Sequence, residues 1–176
     1  MLDPRHWNST AEERAADYPC SKYLDEPSQS FYRAVDVDAP PQVAFRWLCQ
    51  LKVAPYSYDW LDNRGRRSPR TLTPGTDELA VGQHFLIFEL VEFERNVHLT
   101  GVARPEARRV YGPIAVTYQV NPREATSSRL IGRLDVAASS LPARVRRSAL
   151  AVGDVLMMRK QFLTLKELSE RDAVGA

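Results

Sequence analysis

The apolar positions of this chain fall into regular stretches whose period switches from helical to strand-like and back. Phe31, Val35 and Val37 share one parity, which predicts a strand over 31–37. Asp38 then stands before Pro40-Pro41, the pattern of an N-cap followed by prolines in a first turn, where a missing N–H costs nothing. The helix this opens is expected to reach about Leu51, with Val43, Ala44, Trp47, Leu48 and Leu51 on one face. Residues 56–63 form a dense aromatic turn or short helix, with Ser57 a possible cap. A loop follows over 64–75, broken by Gly65, Pro69, Pro74 and Gly75.

From Gln83 the period is that of strands. Residues 85–93 and 97–103 flank Arg95-Asn96, which predicts a hairpin with a two-residue connection. Ile114, Val116, Tyr118 and Val120 alternate with Ala115, Thr117, Gln119 and Asn121. Leu130, Leu134 and Val136 do the same against Arg129, Arg133 and Asp135, so Arg133 is expected at the surface. Clean alternation means one buried and one wet face, as in antiparallel sheets. The chain closes on a long helix, signalled by Ser140 and Pro142 and continuing to about Arg171. Its stripe comprises Val155, Met158, Phe162, Leu165 and Leu168, and Gly153 marks a possible bend. Segregated strands and helices indicate an α+β fold.

Ahead of all this, residues 1–30 have almost no apolar stripe. Ser9 with Glu12 suggests a capped short helix through Ala16, broken by Pro19 and Pro27. The expected organisation is an extension over 1–30, one domain over 31–171 and a tail over 172–176. At 176 residues the chain suits a single domain with a real core.

Composition narrows the function classes. With 8 Gly, 12 Pro and 2 Cys the chain is neither collagen-like nor a disulfide scaffold. No apolar run approaches the ~20 residues of a membrane span. The first ten residues hold Asp3, Arg5 and His6, which does not read as a leader, so a cytoplasmic protein is expected. Cys20 and Cys49 lack CxxC spacing and read as free thiols. A balance of 24 basic to 22 acidic residues gives no general pull toward nucleic acid. The local runs Arg64, Arg66, Arg67, Arg70 and Arg144, Arg146, Arg147 read as solvated surface or as contacts for phosphate or anionic lipid.

The run from Asp38 to Leu48, followed by Tyr56-Ser57-Tyr58-Asp59-Trp60-Leu61, resembles the helix-grip superfamily known as SRPBCC. That group includes START domains, polyketide cyclases and birch-pollen-allergen-like proteins. Residues 153–162, Gly-Asp-Val-Leu-Met-Met-Arg-Lys-Gln-Phe, are similar to the closing helix of a bacterial branch of it. The resemblance spans about residues 30–171. It implies a curved antiparallel sheet wrapped around the long C-terminal helix, with two short helices after the first strand. It also implies a pocket between sheet and helix for a small hydrophobic or amphipathic molecule. Such concave, mostly apolar places favour ligands, and flexible thioethers such as Met157 and Met158 suit an adaptable wall. Ordinary core packing is the competing reading for any one of these side chains.

Catalytic signals are sparse. With a two-residue turn, His98 shares a face with Phe85, Ile87, Glu89 and Phe93, and His84 lies on the other, so the two do not share a metal. Zinc, EF-hand, GxSxG and phosphate-loop patterns are absent. Glu89 and His98 on a common face, one strand apart, would suit acid–base chemistry inside an apolar pocket or else face solvent. Tyr56, Tyr58 and Asp59 form the densest polar-aromatic cluster, fit for orienting a ligand at a pocket mouth or for shaping a turn. The candidate ligand contacts are therefore Tyr56, Tyr58, Asp59, Glu89, His98, Tyr118, Met158 and Phe162, with no catalytic residue, metal or cofactor assigned. Carriage of a hydrophobic ligand such as a lipid or polyketide-like molecule leads. An aromatase/cyclase-type enzyme and a protein-interaction module using the loop 64–70 are the alternatives.

Overall fold

A computed structural model describes residues 5–25, 27–58, 65–137 and 144–175, with side chains of the last segment from residue 157. Strand β1 (His6–Trp7), helix α1 (Ala11–Ala15) and a 3-10 turn (Pro19–Tyr23) precede β2 (Ser28–Val37). Helix α2 (Pro41–Cys49) runs into a second 3-10 turn (Gln50–Lys52). Strands β3 (His84–Phe85), β4 (Phe88–Glu94) and β5 (His98–Ala103) follow. Helix α3 (Pro105–Tyr111), β6 (Ile114–Glu124), β7 (Ser127–Ala137) and helix α4 (Arg144–Val174) complete the chain. The seven strands form one curved, unclosed sheet in the order β1-β2-β7-β6-β5-β4-β3. All pairs are antiparallel except β1 with β2.

Alternation sorts the sheet into two faces. Phe31, Val35, Leu90, Leu99, Val116, Tyr118, Leu130 and Val136 point inward, into one core with α2 and α4. Trp47, Leu48 and Leu51 are 0–1% exposed, so the predicted α2 face is the buried one. On α4, Phe162, Leu165 and Leu168 are equally hidden. Each such side chain contributes about 1.5–3 kcal/mol by leaving water. Trp47 Nε1 donates to Asp172 Oδ2 at 2.9 Å and ties α2 to the last turn of α4.

Several local expectations are corrected. The first helix is capped by Thr10, whose side chain accepts from Glu13 N while Glu13 returns to Thr10 N, one residue later than Ser9 and Glu12 suggest. Pro40, not Asp38, occupies the N-cap of α2; Asp38 N instead donates to Glu170 Oε1 at 2.8 Å. The apolar run 85–93 is two strands, because Leu86 adopts φ 51° and closes a tight turn between Phe85 and Phe88. Helix α3 went unpredicted, although Pro105 at its start and Gly112 with φ 80° at its end are standard punctuation. Gly153 lies within continuous helix. Ser140, Pro142 and most of the aromatic turn 56–63 lie outside the described residues. Among the described residues no helix is long and apolar enough to cross a membrane.

Candidate functional site

The inner face of the sheet divides into a closed part and an apolar remainder. At the centre α4 presses directly on β7: a Cβ placed on Gly132 would come within 2.8 Å of the Phe162 ring and 2.9 Å of Met158. Tyr118 packs 6.0 Å from Phe162 and edge-on to Phe85 at 6.3 Å. Its hydroxyl donates to Gln161 Oε1 at 3.0 Å, and Gln161 Nε2 donates to Pro55 O at 2.6 Å. This buried chain joins sheet, helix and the segment after α2. A satisfied polar bridge fixes geometry that apolar packing alone leaves loose.

Pro55 leads into Tyr56, which is 1% exposed, holds φ 56°, and meets Trp47 edge-on at 6.0 Å. A bulky residue at that φ carries strain that its surroundings must hold. Here the Tyr56 N–H donates to Ser68 Oγ at 3.2 Å, which pins the turn to the loop carrying Arg66 and Arg67. Tyr58, two residues on, is half-buried; Asp59 lies outside the described residues.

Past Gly132 the inner face continues with Leu134 and Val136 on β7, Phe31 on β2, Ile114 on β6 and Phe88 on β4. The direction of α4 is fixed by its contacts. Lys166 donates to Asp36 O at the Ser128 end of the sheet, and Phe162 lies over Gly132. Followed toward its start, the helix therefore advances toward the Leu134–Ala137 end. Among the described residues Arg33 is a cation buried on this face: it stands opposite Gly132, is 0% exposed, and donates through Nη1 to Arg5 O and Tyr32 O.

Tyr56, Tyr118, Met158 and Phe162 thus converge between sheet and helix, whereas Glu89 and His98 do not join them. The β4–β5 connection has three residues, with Asn96 at φ 62°, so Glu94 faces His98. A bulge between Leu90 and Glu92 restores the parity. Glu89 and His98 do share a face, but it is the outer one, and Glu89 lies opposite Val102, four residues from His98, about 13 Å along the strand. His84 pairs with Glu89, so it too is on the outer face, against the expectation that the histidines lie on opposite faces.

Over β2, β7 and β6 the outer face is covered rather than wet. Residues 18–24 lie across it there and bury Cys20, Tyr32, Ala115 and Ile131 together with Tyr18. Beneath them runs a polar ladder. His98 Nδ1 and Thr117 Oγ1 both meet Thr100 Oγ1, at 3.3 and 2.9 Å, and Thr117 Oγ1 accepts from Cys20 N at 3.0 Å. Cys20 Sγ reaches Asp135 Oδ2 at 3.6 Å, and Asp135 accepts from Arg133 Nε at 2.9 Å. Arg133 is therefore held beneath Tyr18 and Tyr32, 5.6 Å from each ring centre, not at the surface as alternation suggests. Burial pushes the Cys20 thiol up to about 12, aided by the Asp135 charge, and lowers the His98 imidazole. The Lys22 hydrogen bond lowers the Glu92 carboxyl. A cleft of about 190 Å3 opens where Tyr23–Asp25 meet α3, lined also by Val102, Arg108 and Pro113.

The sequence reading missed Gln161 and Arg33. Gln161 is a polar residue three positions after Met158, on the stripe itself, and that mismatch was the available signal. Arg33 interrupts the parity of Phe31 and Val35 in the same way.

No protein-family profile and no curated protein matches the sequence. Solved structures do. A Mesorhizobium loti protein is 17% identical, with a TM-score of 0.52 over 81% of this chain and 98% of its own. A Thermobifida fusca protein is 16% identical, with a TM-score of 0.53 over 81% and 93%. A Chromobacterium violaceum protein is 13% identical, with a TM-score of 0.51 over 82% and 99%. The architecture is the helix-grip fold. At this level of identity the likeness is one of fold alone.

Proposed function

We propose that the domain over 31–171 binds and carries one small hydrophobic or amphipathic molecule, of lipid or polyketide-like character, between the inner face of the sheet and the first half of α4. The observation that carries this reading is the division of the inner face. Its centre is closed by Gly132 against Phe162, while Phe31, Leu134, Val136 and Ile114 extend an apolar wall beyond that contact. Met158, Phe162 and Tyr118 would form the floor, and Tyr56 and Tyr58 the border. Removing about 300 Å2 of apolar ligand surface from water contributes about 7 kcal/mol before association entropy is subtracted.

The aromatase/cyclase alternative has less support. Glu89 and His98, which would have moved the proton, lie on the outer face, and the Tyr118 hydroxyl is held by Gln161. The carrier fits a cytoplasmic setting, where the buried Cys20 and Cys49 stay thiols.

A fluorescence titration with anilinonaphthalene sulfonate tests the reading. Saturable one-to-one binding is expected, weakened at least about tenfold by Leu134→Trp or Val136→Phe, which would fill the wall. Unchanged binding in both folded variants would place the site elsewhere.

A further inference from the structure

Helix α3 stands at the rim of the proposed pocket. Arg104 N, just before it, donates to Ile87 O at 3.1 Å, and Pro113 O, just after it, accepts from Ala137 N at 3.0 Å. Both bonds lie at the end of the sheet where β7 finishes. The last turn of α3 faces outward. Val110 is 56% exposed and Tyr111 37%, and Arg108 and Arg109 immediately before them are also exposed. Among the described residues neither of these two guanidinium groups has a hydrogen bond or ion pair. The only acidic residue of the helix, Glu106, is in its first turn.

Two unpaired arginines beside an exposed tyrosine and valine form a compact cationic and apolar tip. A tyrosine ring suits the headgroup level of a bilayer, where its apolar body and hydroxyl are both accommodated. Arginine binds lipid phosphate through its planar fork of donors. Arg108 also lines the 190 Å3 cleft beside this turn, together with Tyr23, Asp25 and Val102. Two adjacent cations and one aromatic ring, with no carboxylate in the same turn, suit an anionic lipid surface.

We propose that the last turn of α3 is a docking surface for an anionic lipid bilayer, placed at the rim through which the carried molecule is loaded. The purpose of this surface rests on the carrier reading, but its detection does not. Each arginine held near an anionic leaflet strengthens partition by about 5-fold, so neutralising both weakens it by about 30-fold.

The test is co-sedimentation of the whole chain with phosphatidylcholine vesicles, with and without phosphatidylserine, at low and physiological salt. Binding is expected to require phosphatidylserine and to weaken with salt. It should fall about 30-fold in R108Q/R109Q and also fall in Tyr111→Ser, with melting temperatures unchanged. Absence of binding, equal binding to neutral vesicles, or variants that bind like the parent would overturn the docking surface. The same preparations are titrated with anilinonaphthalene sulfonate without vesicles. Intact dye binding alongside absent vesicle binding removes this inference alone, whereas vesicle binding without dye binding removes the carrier reading alone.

Discussion

Gly132 on β7 and Phe162 on α4 meet so closely that even one added methyl group on the glycine would lie within 2.8 Å of the ring. Helix and sheet are in contact there, which divides the interior and sends any guest toward Leu134 and Val136. Gly132→Ala is accordingly expected to lower stability by about 1–3 kcal/mol through overpacking. Phe162→Ala should cost about 3–5 kcal/mol through the cavity it leaves. Denaturant midpoints measure both. Parent-like stability in the two variants would mean that the helix does not seat on the sheet here.

The N-terminal segment is held by a buried charge. The Arg129 side chain, 6% exposed, binds the Glu13 carboxylate, donates to Asp36 Oδ1 at 3.0 Å and donates to Asn8 O at 2.6 Å. Glu13→Ala removes the better-buried carboxylate and should destabilise by about 3 kcal/mol, since an unpaired buried cation is costly. Faster proteolysis between residues 5 and 25 should accompany the loss. A stable, protease-resistant variant would show that Asp36 alone suffices.

His98 makes a pH prediction whose sign follows from its burial. Desolvation holds its folded value below the ordinary 6.5, although Glu92 and Glu94 pull the other way. The unfolded chain therefore takes up a proton near 6.5 that the folded chain resists, and stability falls as pH drops below that value. Between about pH 7 and pH 5 the melting temperature of the parent should fall more steeply than that of His98→Asn. Parallel slopes would remove His98 from the linkage.

Much of this fold is legible locally. Trp47, Leu48 and Leu51 announce the α2 face, and the alternation from Ile114 to Val120 and from Leu130 to Val136 announces β6 and β7, because each pattern follows one element's own period. What failed depends on single backbone angles or on distant chain. Leu86 turns the chain at φ 51° without a glycine, and Asn96 adds a third turn residue. One bulge then offsets that extra residue, so Glu89 and His98 share a face as expected, but far apart on the side away from the helix. Arg133 looks solvated until residues 18–23 are laid over it, and nothing in the period of β7 encodes that cover. Around the proposed site, the inward positions of Tyr118, Met158 and Phe162 follow from the period of their elements, whereas Gln161 and Arg33 looked like pattern breaks.

Burial shapes thiol chemistry at two separate places, Cys20 under the N-terminal segment and Cys49 in the core at the end of α2. Burial, above all other causes, pushes Cys20 and Cys49 up to about 12. Neither should react with a disulfide reagent at neutral pH in the folded chain, and both should react at once in denaturant. Rapid labelling of native Cys20 would show that the N-terminal segment leaves the sheet.

The carrier account is tested most directly by methyl-resolved NMR during titration with anilinonaphthalene sulfonate. Leu134 and Val136 sit on the inner face of β7, whereas Ile131 of the same strand lies on the outer face under Tyr18. The expected result is saturable, one-to-one shifts at Ile114, Leu134 and Val136 with Ile131 unmoved. Shifts centred on Ile131, or none that saturate, would contradict a guest between sheet and helix.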